Sequence, residues 1–259
     1  MKKSKIAVLV AMVVVLAFSL AACGGSDKSS SDKTVYKVGT EPTFPPFDTT
    51  DEDQNIVGLD MDLIKAIGED QGFDVEFENL SFDGLIPALK AGNIDIVAAG
   101  MNKDDEDRQK EVDFSDSYYE SKLFVAVTED NTTIKSVDDL TPDMKVAAQT
   151  GTTGASKVTE LKDAGKIKEA VILDGLDTCM MKLINGDVSA VINDKPVTEA
   201  YMKKQPDKIK MVGEALNAEN YGFAVQKGNA ELVEKINNGL KHIKENGTYD
   251  KLVDEWFNK

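Results

Sequence analysis

From Thr34 onward, short apolar runs of strand length alternate with stripes at helical spacing, and this alternation constrains the fold more than any other feature. Strand-like runs fall at 35–40, 74–78, 94–99, 124–128, 145–149, 170–173, 190–193, 209–212 and 222–225. Between several of them lie helical faces: Leu63, Ile64 and Ile67; Leu85, Ile86 and Leu89; Met180, Met181, Leu183 and Ile184. Strand, helix, strand in repeated order predicts an α/β fold with largely parallel sheets. The segment 230–257 reads as two helices broken at Asn246-Gly247. Sheets of this kind bind ligands beyond the carboxyl ends of their strands, so the loops there carry the functional information.

Four such loops stand out. The first, Gly39 to Phe47, holds three prolines and two phenylalanines, a stiff segment able to fix aromatic rings. It is equally readable as a packed loop. The third-strand loop runs Ala99-Gly100-Met101-Asn102 through an acidic stretch to Arg108. Arg108 is the only arginine in a chain with 29 lysines. A guanidinium offers a planar fork for a carboxylate that lysine cannot copy, although a surface ion pair at a helix start is the alternative. The loop Gln149-Thr150-Gly151-Thr152-Thr153-Gly154 leads into a helix, where free N–H groups and the dipole favour an anion. Without the length and lysine of a nucleotide loop it suits a carboxylate, or it is simply a threonine cap. Finally Asp194-Lys195-Pro196 follows a strand, placing an aspartate to cap a helix or to pair with an ammonium group. An arginine, an anion-binding helix start, a carboxylate and aromatic walls together suit a free amino acid.

The first residues speak to location. Lys2, Lys3 and Lys5 precede an apolar run from Ile6 to Leu20, then Leu20-Ala21-Ala22-Cys23-Gly24. Basic and apolar regions of these lengths read as a signal peptide over 1–22, too short for a comfortable membrane span. The cysteine at the cleavage point resembles the lipobox of bacterial lipoproteins, which implies acylation of Cys23 with palmitate-class chains and anchoring at the extracellular face of the cell membrane. Residues 23–33 would comprise the acylated cysteine and a tether: the ten polar residues 24–33, GGSDKSSSDK, reach about 17 Å as a flexible chain.

Composition excludes other classes. The formal charge is −16, and −19 once the lysines of residues 1–22 are removed. Such a chain repels nucleic acid and anionic lipid surfaces. Cys179 sits on an apolar stripe and reads as a buried thiol, and His242, the only histidine, as a surface helix residue. No catalytic triad or metal cluster is therefore expected, nor any cofactor. Residues 51–55 begin like a calcium loop, but Ile56 stands where glycine is required, so a hairpin turn is the better reading.

The strings GTEPTFPPFD, GLDMDLIKAI, FDGLIPALKAGNIDIVAAGM, VDFSDSYY, QTGTTG, VINDKPV, YGFAVQKGN and ENGTYDKLVDEWF resemble those of the solute-binding proteins of polar amino-acid ABC importers. The resemblance spans essentially all of residues 34–258. It implies a two-lobed α/β fold of periplasmic-binding-protein type II, with two crossing hinge strands and a ligand cleft between the lobes. Lobe one would comprise 34–119 plus 221–259 and lobe two 123–217, with hinges near 118–122 and 218–221. Carried over, Arg108 clamps the ligand carboxylate with Thr152 and Thr153, Asp194 takes the ammonium, and Phe44 and Phe82 form aromatic walls. Glu41 reads the side chain, while Gly100, Asn102 and Gln149 complete the lining. Two departures stand out: Asn102 replaces the usual threonine or serine, and the stretch from Gly100 to Arg108 is one residue longer than usual. The expected partners are a free L-amino acid, polar or cationic, and the membrane subunits of an importer, bound by a monomer. The alternative is an enzyme on this scaffold, like the cyclohexadienyl or arogenate dehydratases, with Glu41 as the only obvious general acid.

Overall fold

The computed structural model describes residues 34–258; the predicted signal peptide, Cys23 and the tether lie outside them. The first sheet orders its strands β4 (Phe73–Asn79), β1 (Thr34–Thr40), β5 (Ile96–Val97), β13 (Ala224–Gln226) and β6 (Val112–Phe114). Helix α1 (Leu59–Gln71) covers it together with α7 (Ala230–Glu245) and α8 (Thr248–Phe257). The packing follows the helical stripe: Leu63, Ile64 and Ile67 of α1 meet Leu232, Ile236, Leu240 and Ile243 of α7 in one core. Helix α2 (Phe82–Lys90) closes the opposite face with Leu85 and Leu89.

The second sheet runs β11 (Ile209–Val212), β7 (Tyr119–Thr128), β10 (Ala190–Asp194), β8 (Lys145–Gln149) and β9 (Glu169–Leu173). Both of its faces are buried. Val125, Val127, Val146, Ala148, Ala190 and Ile192 pack against α4 (Thr153–Asp163). On the other face Ala126, Ala147 and Val191 meet Cys179, Met180 and Leu183 of α5 (Leu176–Ile184). Helix α6 (Lys195–Lys204) follows β10 directly.

The expectation of largely parallel sheets needs correction, because both sheets are mixed. β13 runs antiparallel to β5 and β6, and β7 antiparallel to β10 and β11. The reason is that the chain passes between the sheets along β7 and returns along β12 (Ala218–Tyr221), an antiparallel pair in which Tyr119 faces Tyr221 and Ser121 faces Glu219. The strand read at 94–99 shrinks to Ile96–Val97, since Ala98 makes its bond to Gly39 and Gly100 then turns away at φ 53°. The turn at 51–55 is a hairpin between β2 (Thr49–Thr50) and β3 (Ile56–Val57), closed by Asp51 accepting from the N–H groups of Asp53 and Asn55. The break between α7 and α8 falls at Asn246 and the left-handed Gly247, φ 81°.

Candidate functional site

Between the two sheets, at the carboxyl ends of their strands, lies an enclosed cavity lined by Glu41, Phe44, Phe82, Ala99, Gly100, Asn102, Arg108, Gln149, Thr152, Thr153, Asp194 and Glu219. All ten residues singled out from the sequence are among them, joined by Ala99 and Glu219. Its volume is about 20 Å³, room for about one water molecule.

The loop from Gly100 to Arg108 is built by its caps. Asp105 accepts from the N–H groups of Asp107 and Arg108 and so starts α3 (Glu106–Glu111), which turns the Arg108 side chain inward. Arg108 is only 9% exposed and forms no salt bridge with any described residue, so the surface ion pair is excluded. Its Nη1 donates to the Asn102 carbonyl (3.2 Å) and its Nη2 to the Gly151 carbonyl (2.9 Å). The guanidinium also lies over the Phe82 ring, 5.4 Å from its centroid. Burial pulls its pKa down, but arginine stays charged at such a site. Of its five N–H donors, two are spent on carbonyls.

Asn102 serves this loop more than the cavity. Its side-chain carbonyl accepts from Asp104 N and Asn220 N, pinning the loop to β12. Only its Nδ2 end remains to face a ligand. Gly100 is required where it stands: φ is 53°, and a Cβ would lie 2.6 Å from the Phe44 ring.

In the second lobe, Thr152 is the N-cap of α4. Its hydroxyl accepts from Ala155 N and donates to the Gln149 carbonyl, so it is already committed to the turn. The donors offered to an anion are instead the N–H groups of Thr153 and Gly154, which open the helix without intrahelical acceptors. Glu219, which accepts from Asn217 Nδ2 (2.8 Å), lies beside the Thr153 side chain, whose hydroxyl favours its ionised form. Asp194 Oδ1 accepts from Ser121 Oγ (3.0 Å) and Tyr221 Oη (2.5 Å), one from each crossing strand. That leaves Oδ2 for a cation. Burial raises Asp194 to about 6, partly offset by these hydroxyls and by Arg108.

At the opposite end Glu41 Oε2 accepts from Gln149 Nε2 (2.7 Å) and Thr43 Oγ1 (2.8 Å). Gln149 also donates to the Asp174 carbonyl, and Thr43 receives Leu176 N and Tyr201 Oη. These bonds join the lobes across the cleft. Burial raises Glu41, against the lowering effect of Gln149 and Thr43.

Glu219 was not singled out from the sequence, nor were its neighbours Ser121 and Tyr221. Glu219 is 1% exposed, and burial with the nearby Asp194 raises it to about 7. A usable signal existed: once 218–221 is read as a crossing strand, period two places Glu219 and Tyr221 on one face.

Comparison with known proteins agrees with this geometry. Residues 36–259 match the model of the bacterial extracellular solute-binding proteins, family 3. A probable histidine-binding protein of Neisseria gonorrhoeae is 34% identical, covering 94% of this chain and 92% of its own. The putative ABC transporter arginine-binding protein 2 of Escherichia coli K12 is 35% identical over 100% of both chains. A solved structure of an ancestral arginine-binding protein bound to arginine superposes with a TM-score of 0.82 at 44% identity, covering 87% of this chain and 99% of that one. A family match along the whole described fold, two-lobed relatives and a cleft enclosed between the sheets lead to one conclusion: this chain belongs to the bacterial extracellular solute-binding proteins, family 3.

Proposed function

We propose that the protein captures a free cationic amino acid, arginine being the leading occupant, outside the cytoplasm and delivers it to the membrane subunits of an ABC importer. The charge inventory of the cavity carries this reading: one guanidinium, Arg108, faces three carboxylates, Glu41, Asp194 and Glu219. Glu219 accepts from Asn217 and is raised by burial to about 7, which leaves Glu41 and Asp194 to be matched. The complement is therefore a ligand with one anionic and two cationic groups. The α-carboxylate would take Arg108 and the first-turn N–H groups of α4, and the α-ammonium the open oxygen of Asp194. The side chain would lie between Phe44 and Phe82 with its cation toward Glu41. A distal carboxylate would instead be repelled by Glu41. Relatives named for binding arginine and histidine support the cationic class. Entry requires the lobes to part, because the Glu41–Gln149 and Arg108–Gly151 bonds cross the space a ligand needs. The protein acts as a monomer anchored through acylated Cys23, whose replacement by alanine should release it from cells.

The test is a thermal-shift screen of residues 24–259 against the twenty amino acids, ornithine and cystine. A ligand at 100 times its Kd stabilises by about 2.7 kcal/mol. Absence of any shift with arginine, lysine, ornithine and histidine would sink the cationic reading, and absence with every compound the amino-acid reading itself.

A further inference from the structure

Beneath the Phe44 wall lie two acids that the binding of a ligand does not use. Asp48 and Asp60 are both 0% exposed. They are close neighbours, since Asp60 N donates to the Phe47 carbonyl at 3.0 Å. Asp60 Oδ2 accepts from Gly100 N (2.8 Å) and Tyr118 Oη (2.7 Å). Asp48 Oδ2 accepts from Thr40 Oγ1 (3.2 Å). The remaining oxygen of each, Asp48 Oδ1 and Asp60 Oδ1, has no hydrogen-bond partner, and among the described residues these are the two buried side-chain polar atoms in that condition. The titratable groups facing the pair are Glu41 from the first loop, Tyr118 ahead of β7, Tyr201 from α6 and Tyr249 from α8. None of them is a cation.

We infer that Asp48 and Asp60 share a single proton, held between their two unpartnered oxygens, and that this carboxyl pair positions the Phe44 wall and the Gly100 corner of the cavity. Two adjacent carboxylates cannot both stay ionised in a dry interior without a counter-charge. One proton resolves both orphan atoms at once, as donor from one acid and acceptor on the other. Burial pushes both groups up, Asp60 to about 7, and Asp60 and Glu41 push Asp48 further. The positioning is direct. The Asp60 carboxylate holds Gly100 N and, through Tyr118, the start of the crossing strand, while the Asp48 carboxylate, held by Thr40, anchors the residue whose backbone pairs with that of Phe44.

The experiment uses protein labelled with carbon-13 at aspartate carboxyls. Infrared spectra at pH 7 should show a protonated-carboxyl band that disappears in both Asp48→Asn and Asp60→Asn, because either amide supplies the N–H that replaces the shared proton. In denaturant titrations the wild type holds a proton that its unfolded chain releases between about pH 4 and 7. Stability therefore falls as pH rises through that window, by up to tenfold in the unfolding constant per unit. Each amide variant should lose one proton's share of that slope. An unchanged band and slope in the variants would overturn the shared proton. So would stability that depends on sodium or potassium in place of choline, which would put a cation between the acids. For the positioning role, Asp60→Ala should weaken arginine binding at least tenfold more than Asp60→Asn, and equal losses would refute it. This last arm rests on the amino-acid reading; the infrared and denaturant arms decide the proton even if no amino acid binds.

Discussion

At one end of the cavity, Arg108 is held by two carbonyls and Asp194 by hydroxyls from both crossing strands, whereas at the other Glu41 is held by one cross-cleft amide and its neighbour Thr43. The first end is tied to backbone and hinge, so it can be altered only at a cost to the closed geometry. The second is tied to side chains that can be exchanged without moving a strand. The groups common to all amino acids would be recognised where the scaffold is fixed, and the variable side chain where it is adjustable.

Four outcomes test that division, the largest first. Arg108→Ala removes the only cation of the cavity and should weaken arginine and every other amino-acid ligand by about 3 kcal/mol, more than a hundredfold in Kd by calorimetry. A loss confined to arginine would break the comparison. Asp194→Asn should cost about 2 kcal/mol, again whatever the side chain, because an ammonium then meets a neutral amide. The pH dependence comes next. Asp194 lies at about 6 in the folded protein, above the ordinary aspartate value, and an ammonium beside it favours the ionised form. Affinity should therefore fall by up to tenfold per unit below about pH 6. The free protein should move the other way. Asp194's contribution to stability is fully present below about pH 4 and is lost as pH rises through about 6, which denaturant titration can follow. The smallest effect is the most selective: Glu41→Gln should weaken arginine about tenfold and leave glutamine within about threefold. Equal losses for both ligands would mean that Glu41 shapes the closed cleft rather than reading the side chain.

Much of the fold was legible because it rests on local periodicity. The α1 and α7 stripes, the strand–helix junction at Gln149 to Gly154 and the break at Asn246-Gly247 all declare themselves within a few residues. The part that was not legible depends on pairing between distant segments. Val112–Phe114 is too short to show a period, and it is a strand because β13 returns beside it. Glu219 reaches the cavity, and Ser121 and Tyr221 reach Asp194, through the register of β7 with β12, which becomes readable only once 218–221 is taken as a strand. Asp48 and Asp60 were hidden differently. In an acid-rich chain two more aspartates look like solvated surface, and only burial to 0% exposes them as exceptions. For the loop around Asn102, the extra residue flagged by the resemblance coincides with a side chain spent on Asp104 and Asn220.

The last described helix has a practical consequence. Trp256 docks α8 onto the first lobe through its Nε1 bond to Asp62. Phe257 reaches further: its ring stacks on Tyr119 of the crossing strand, 5.2 Å between centroids, and its carbonyl receives Lys203 from α6 of the second lobe. The chain's single tryptophan thus sits next to a residue that touches both lobes and the strand about which they would turn. If the lobes part when ligand leaves, the tryptophan emission should change with them, free of background from any other indole, so that capture and release can be followed in real time without a label.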